Sequence, residues 1–234
     1  MVGRIKYLRE KGRGSGEIES LCGLTILNLT LYEPPGLPPK RLARRLERLE
    51  RTFRKAGVSR VMLSEGFPHA KRLRGLRPVS PLNFYRAIAD LLAVEWLELH
   101  GISPEQGRVA LAGNRLCPEL EETARRLCSR VRAVRIDVPG EEGELFARLL
   151  QREWGLPVTP PGKSVDVTLS FGGGAGELSL WGDEPDLGGL TLWAEGLDLS
   201  AGWEEQLMAL LWERGSLRRE DIRVSNSAES LANG

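Results

Sequence analysis

The chain has 234 residues, 41% hydrophobic and 28% charged, a profile that excludes wholesale disorder. Its 33 Lys and Arg stand against 32 Asp and Glu, a formal charge of +1, so no global field draws it to nucleic acid or an anionic membrane. The length suits one substantial α/β domain with its own core.

In chain order, residues 1–20, "MVGRIKYLREKGRGSGEIES", are charged and contain glycine. They are expected as a flexible basic arm, without the apolar stretch of a secretory signal. "LTILNLTLYEP" (24–34) alternates apolar and polar residues as a half-buried strand does. The segment 40–57, "KRLARRLERLERTFRKAG", sets Leu42, Leu46, Leu49 and Phe53 on one helical stripe and ends at Gly57. "VSRVMLSEGFP" (58–68) reads as a short buried strand breaking at Glu65-Gly66, followed by an Arg-rich loop over 67–80.

Ser80-Pro81 opens one long predicted helix, "LNFYRAIADLLAVEWLELHG", in which Asp90, Glu95 and Glu98 form a thin wet edge. A strand, loop, helix and strand follow over 108–138, then a helix over 141–155 and a strand "VDVTLSF" (165–171). "ELSLW" (177–181) and "LTLWAEG" (190–196) are expected to pair as an antiparallel hairpin at the sheet edge. "GWEEQLMALLWERG" is a closing helix. The expected architecture is three-layer, Rossmann-like α/β, with a mostly parallel sheet and helices on both faces. One domain spans 21–225, and 226–234 is expected as a disordered tail.

The loop after the strand at 108–112 reads Gly113-Asn114-Arg115-Leu116-Cys117-Pro118, and Asp137 closes the next strand. Over roughly residues 105 to 140 this layout resembles the dinucleotide-binding half of the Rossmann superfamily. The resemblance implies a phosphate at the helix N-terminus and a sugar hydroxyl on Asp137. Gly113 fits the first glycine of that fingerprint, but Arg115 takes the place of the second and Pro118 that of the third. Ordinary NAD(P) binding is therefore not expected, and no other cofactor is assigned. The loop is expected first as the scaffold of a βαβ unit, in which Gly113 turns the chain, Pro118 starts the helix and Asp137 ends a strand. Second to that, Gly113, Asn114, Arg115 and Asp137 are candidates for a small anionic ligand.

Strand ends supply a further polar rim of Tyr32, Glu33, Ser64, Glu65 and the glycine-dense Phe171–Gly174. Glu65 and His69 are the candidate acid–base pair for the alternative reading, an enzyme with a modified nucleotide pocket. "SFGGGAGE" (170–177) lacks the Lys-Ser/Thr of a P-loop and is expected as a flexible hairpin connection. No metal-ligand spacing is present. The three cysteines, Cys22, Cys117 and Cys128, are too few for a disulfide framework and suit a reducing compartment, with cytoplasm as the expected location. Cys117 stands at a helix start that could lower its pKa, but without a partner base it is expected as a buried or semi-buried small hydrophobe.

The expected partners are a small anionic ligand or another protein, without a nucleic acid or a membrane. The Arg-rich helix 40–56 offers a third reading, an interaction surface. Trp181, Trp193, Trp203 and Trp212 in the last third offer an aromatic patch.

Overall fold

A computed structural model describes all residues except 13, 15, 65, 156–163, 195–196, 198–202 and 227–234. The elements in chain order are β1 (Val2–Leu8), β2 (Gly16–Leu21), β3 (Leu24–Tyr32), α1 (Pro39–Lys55), β4 (Arg60–Leu63), β5 (Arg77–Pro78), α2 (Leu82–Ala87), α3 (Ala89–Leu99), β6 (Arg108–Ala112) and α4 (Pro118–Leu127). There follow β7 (Ala133–Asp137), α5 (Glu141–Trp154), β8 (Val167–Ser170), β9 (Leu178–Ser179), β10 (Leu190–Ala194), α6 (Glu204–Glu213) and β11 (Ile222–Asn226). The fold is mixed α/β with mostly parallel sheets. Among the described residues, no helix is long and apolar enough to cross a membrane. The chain divides into two compact units, Met1–Pro81 with Gly196–Leu217, and Leu82–Glu195 with Arg218–Gly234.

The first unit is a sheet of order β2-β3-β1-β4-β5, parallel except for β2 on β3. The stripe Leu42, Leu46, Leu49 and Phe53 of α1 is buried as its spacing predicts, and it packs with Ile5, Leu27, Leu31 and Val61. Gly3 is what lets α1 sit this close, because a Cβ there would stand 2.5 Å from the Phe53 ring. Arg4 points to the opposite face, as alternation along a strand requires. Its guanidinium bonds Asn28 and Glu19 and lies 4.9 Å from the Trp203 ring centroid. Gln206 of α6 closes onto β4 by bonding both the N–H and the C=O of Leu63.

The expected basic arm over 1–20 is thus corrected. Residues 2–8 form an interior strand, flanked by β3 and β4, and residues 16–21 form the edge. Of the charges that suggested an arm, Arg4 and Lys6 alternate with Gly3, Ile5 and Tyr7 along β1; Lys6 is exposed and Arg4 is half-buried in cross-strand pairs. The single domain expected over 21–225 is likewise two units, since periodicity reports an element but not the sheet it joins. The expected tail, apart from Asn226, lies outside the described residues.

The second unit holds a parallel sheet of order β7-β6-β8-β9 and an antiparallel pair β10–β11. The C-terminal antiparallel element is present, but Leu190–Ala194 pairs with Ile222–Asn226. The 177–181 segment instead supplies β9, parallel to β8. The long helix expected over 82–101 is broken at Ile88. The Ala87 carbonyl, which a continuous helix would offer to the Leu91 N–H, accepts from Arg126 and Arg219 at 3.1 and 3.0 Å, and Leu91 turns to Ile88. The same guanidinium groups, with Arg130, surround Asp90, which is 2% exposed and not part of a wet edge.

Candidate functional site

In the order β7-β6-β8-β9 the chain steps from β6 to β7 on one side and returns to β8 on the other. The sheet therefore has a switch point between the carboxyl ends of β6 and β8, where open α/β sheets leave a crevice. The two loops singled out in the sequence meet there. Gly113–Cys117 follows β6 and Phe171–Gly174 follows β8. A Cβ on Gly172 would stand 3.7 Å from the Asn114 amide nitrogen, and one on Gly173 would stand 2.7 Å from Asn114 Oδ1.

The glycine density of 172–176 also has a scaffold cause. Between β8 and β9 the chain must return the length of a strand to run parallel again. Gly173 and Gly174 have φ of +71° and +93°, values that favour glycine. A Cβ on Gly176 would press to 2.8 Å from the Thr168 carbonyl oxygen. The buried Ser170 hydroxyl donates to Gly173 O at 2.9 Å and ties the return down. The segment is thus a parallel return rather than the expected hairpin connection.

Arg86 of α2, an isolated cation in the apolar run "NFYRAIADLL" and unremarked in the sequence, holds the ends of β8 and β9. Its Nε donates to Leu180 O at 2.8 Å and its Nη2 to Phe171 O at 2.7 Å. Arg86 also lies close enough to Cys117 to favour the thiolate, yet the Cys117 thiol is pushed up. Burial is the largest cause, and Glu119 adds to it against the Leu120 N–H and Arg86. Burial thus outweighs any lowering by the helix N-terminus, as suits a half-buried small hydrophobe.

Asp137 stands beside Ala112 in the β6–β7 register, and its carbonyl accepts from the Gly113 N–H at 3.1 Å. Its carboxylate is engaged by Arg135 from the same strand face, with Nε and Nη2 at 2.8 and 2.7 Å, both on Oδ2. Asn114 and Arg115 are exposed. Arg115 makes no ion pair among the described residues.

The other candidates lie in the first unit. Glu65 is outside the described residues. His69 meets Glu33 rather than a neighbour in sequence: its Nε2 is 2.6 Å from Glu33 Oε2, and the Tyr7 hydroxyl donates to the same oxygen at 2.8 Å. Tyr7, Phe67 and His69 form edge-to-face ring contacts with centroids 5.8 to 6.0 Å apart. Burial pushes the Glu33 carboxyl up, but the bonds from His69 and Tyr7, aided by the charges of His69 and Arg9, outweigh it and hold the value below the ordinary range. Tyr7 was hidden in the supposed arm, Glu33 was visible only as part of the rim, and His69 was set beside Glu65 instead. Of the tryptophans, Trp181 and Trp193 of the second unit are 39% and 48% exposed. Among the described residues, no group of three or more His, Cys, Asp or Glu is placed to hold a metal.

No family model and no curated protein matches this chain. Among solved structures it is weakly similar to a shikimate 5-dehydrogenase-like protein, at 8% identity and a TM-score of 0.26. The similarity covers 72% of this chain and 65% of that one, so the chain spans less than two thirds of its length.

Proposed function

We propose that the second unit binds a small anionic ligand without transforming it, at the switch point between β6 and β8. The observation that carries this reading is the meeting of Gly113-Asn114 with Gly172-Gly173 at that point, beside Arg115, which has no ion pair among the described residues. Arg115 supplies the counter-charge and a planar donor set suited to phosphate or carboxylate. Asp137 borders the site, and because Arg135 occupies Oδ2, its Oδ1 is the acceptor for a ligand hydroxyl. Binding is favoured over catalysis because the nearby reactive groups are restrained. The Cys117 thiol is held up by burial, and the Asp137 charge is already neutralised by Arg135. Arg115 in the second glycine's place argues against ordinary NAD(P).

The test is a thermal-shift series with phosphate, pyrophosphate, nucleoside phosphates and NAD(P)(H) on the wild type and Arg115→Ala. A ligand at a hundredfold excess over its Kd stabilises by about 2.7 kcal/mol. The expected result is a shift with an anionic ligand that Arg115→Ala abolishes while the unliganded melting point stays put. A shift that persists in the variant removes the site from this loop, and no shift with any anion defeats the reading.

A further inference from the structure

We propose that the first unit carries a separate pocket for a phosphate ester, between the β2–β3 edge and helix α1. A pocket of about 590 Å³ lies there, walled on one side by Gly12, Gly14 and Gly16 and on the other by Arg45, Arg48 and Thr52. That volume falls within the range of small-molecule sites. Its floor is apolar, from Leu29, Leu31 and Leu49. It is lined by two guanidinium groups and, among the described residues, by no carboxylate, although α1 itself carries Glu47 and Glu50.

The charges are the main observation. Arg45 and Arg48 are three residues apart on one helix, so they are neighbours on its surface, and like charges at this spacing destabilise a helix. Neither has an ion pair among the described residues, whereas Arg4 and Arg60 of the same unit are paired with Glu19 and Glu213. A phosphate monoester carries a charge of about −1.5 to −2 at neutral pH, which matches two guanidinium groups better than a carboxylate does. Arg45 is already oriented, since its Nη1 donates to the Tyr32 carbonyl, so less freedom is lost when its remaining N–H groups meet an anion.

The other groups set what is attached to the phosphate. The Thr52 hydroxyl donates to Arg48 O at 3.0 Å. Its oxygen therefore offers only acceptor lone pairs, a partner for a ligand hydroxyl or amine. The Leu floor accepts an apolar or planar body. At Gly12 and Gly16 only glycine fits: a Cβ on Gly12 would stand 2.3 Å from the Tyr32 ring, and one on Gly16 would stand 3.0 Å from Leu29. The glycines only make the room, and the arginines give the pocket its sign.

The experiment follows the backbone amide signals of Gly12, Gly14 and Gly16 by nitrogen–proton NMR in the full chain, titrated separately with phenyl phosphate, ribose 5-phosphate and AMP. At least one ester is expected to move all three signals saturably. Arg48→Gln and Arg45→Gln should each weaken that binding at least tenfold, while Arg44→Gln, on the same helix outside the pocket, should leave it within twofold. Arg115→Ala should not alter it, which separates this pocket from the switch-point site. The proposal is overturned if no ester moves the signals, if both pocket variants bind like the wild type, or if Arg44→Gln weakens binding as much as they do.

Discussion

Tyr7 and Glu33, from the ends of two adjacent parallel strands, share a hydrogen bond of 2.8 Å in which the phenol donates to the carboxylate. The two groups shift in opposite directions. The Tyr7 phenol is raised above its ordinary 10.0, first by burial and then by the bond to Glu33 and its charge, with Arg9 opposing. The Glu33 carboxyl lies below its ordinary 4.5. Because an acceptor-only carboxylate takes the bond from His69 as well, the His69 Nε2 carries the proton.

Stability should follow both shifts. The lowered Glu33 value contributes stability that is complete above pH 4.5 and disappears as pH falls through the folded value. The raised Tyr7 value contributes stability that is complete below pH 10.0 and disappears as pH rises through its folded value. Urea unfolding across pH should show a flatter acid limb for Glu33→Gln and a flatter alkaline limb for Tyr7→Phe. Curves parallel to the wild type would mean the pair is uncoupled from folding.

Asp90 should be the most costly carboxylate to neutralise. Three arginines converge on it, Arg126 from α4, Arg130 from the turn after α4 and Arg219 from the turn before β11, while it is 2% exposed. Asp90→Asn leaves those charges without their centre, and a loss of about 3–5 kcal/mol is expected. The exposed Glu144–Arg148 pair on α5 is the internal contrast, and Glu144→Gln should cost under about 1 kcal/mol. Equal losses in denaturant unfolding would show that burial does not set the difference.

Gly3→Ala should destabilise the chain by about 1–3 kcal/mol, the usual cost of overfilling a packed core. The new methyl would meet the Phe53 ring at 2.5 Å and Val61 at 2.8 Å. Phe53→Leu should recover part of that loss, so a double-mutant cycle is expected to give a favourable coupling between positions 3 and 53. Strict additivity would place the clash elsewhere.

What the sequence disclosed depended on how local each cause was. The α1 stripe needed only its own spacing, and the β6–α4–β7 run with its loop was readable from one continuous stretch. The break at Ile88 was not, because it is made by Arg126 and Arg219, which take the Ala87 carbonyl from well outside the helix. β1 was missed because Gly3 leaves only Ile5 and Tyr7 as apolar side chains on the face towards α1, Arg4 and Lys6 fill the other, and the pairs that accommodate Arg4 lie on β2 and β3. The partner of β10 lies beyond an intervening helix, so the nearer run at 177–181 drew the assignment. At the switch point the sequence named both loops but had no means of joining residues 114 and 173. His69 was named too, but Glu33 and Tyr7 reached it only through the parallel register of β1 and β3.

The interleaving of the two units bears on how the protein is made. The sheet of the first unit is complete by Pro78, yet Trp203, which stacks on Arg4 just before α6, and Gln206 of α6, which clamps Leu63, come more than a hundred residues later. On the ribosome the N-terminal sheet must wait through the synthesis of β6 to β10 before that helix emerges. A nascent chain halted near residue 100 therefore has its strands, α1 and the loop residues Phe67, Leu73 and Leu76 that cover one face, but lacks α6. The first unit becomes native only once α6 has been made, so chaperone demand should peak while residues 81 to 217 are synthesised, and the folding of this earlier segment is governed by a later one.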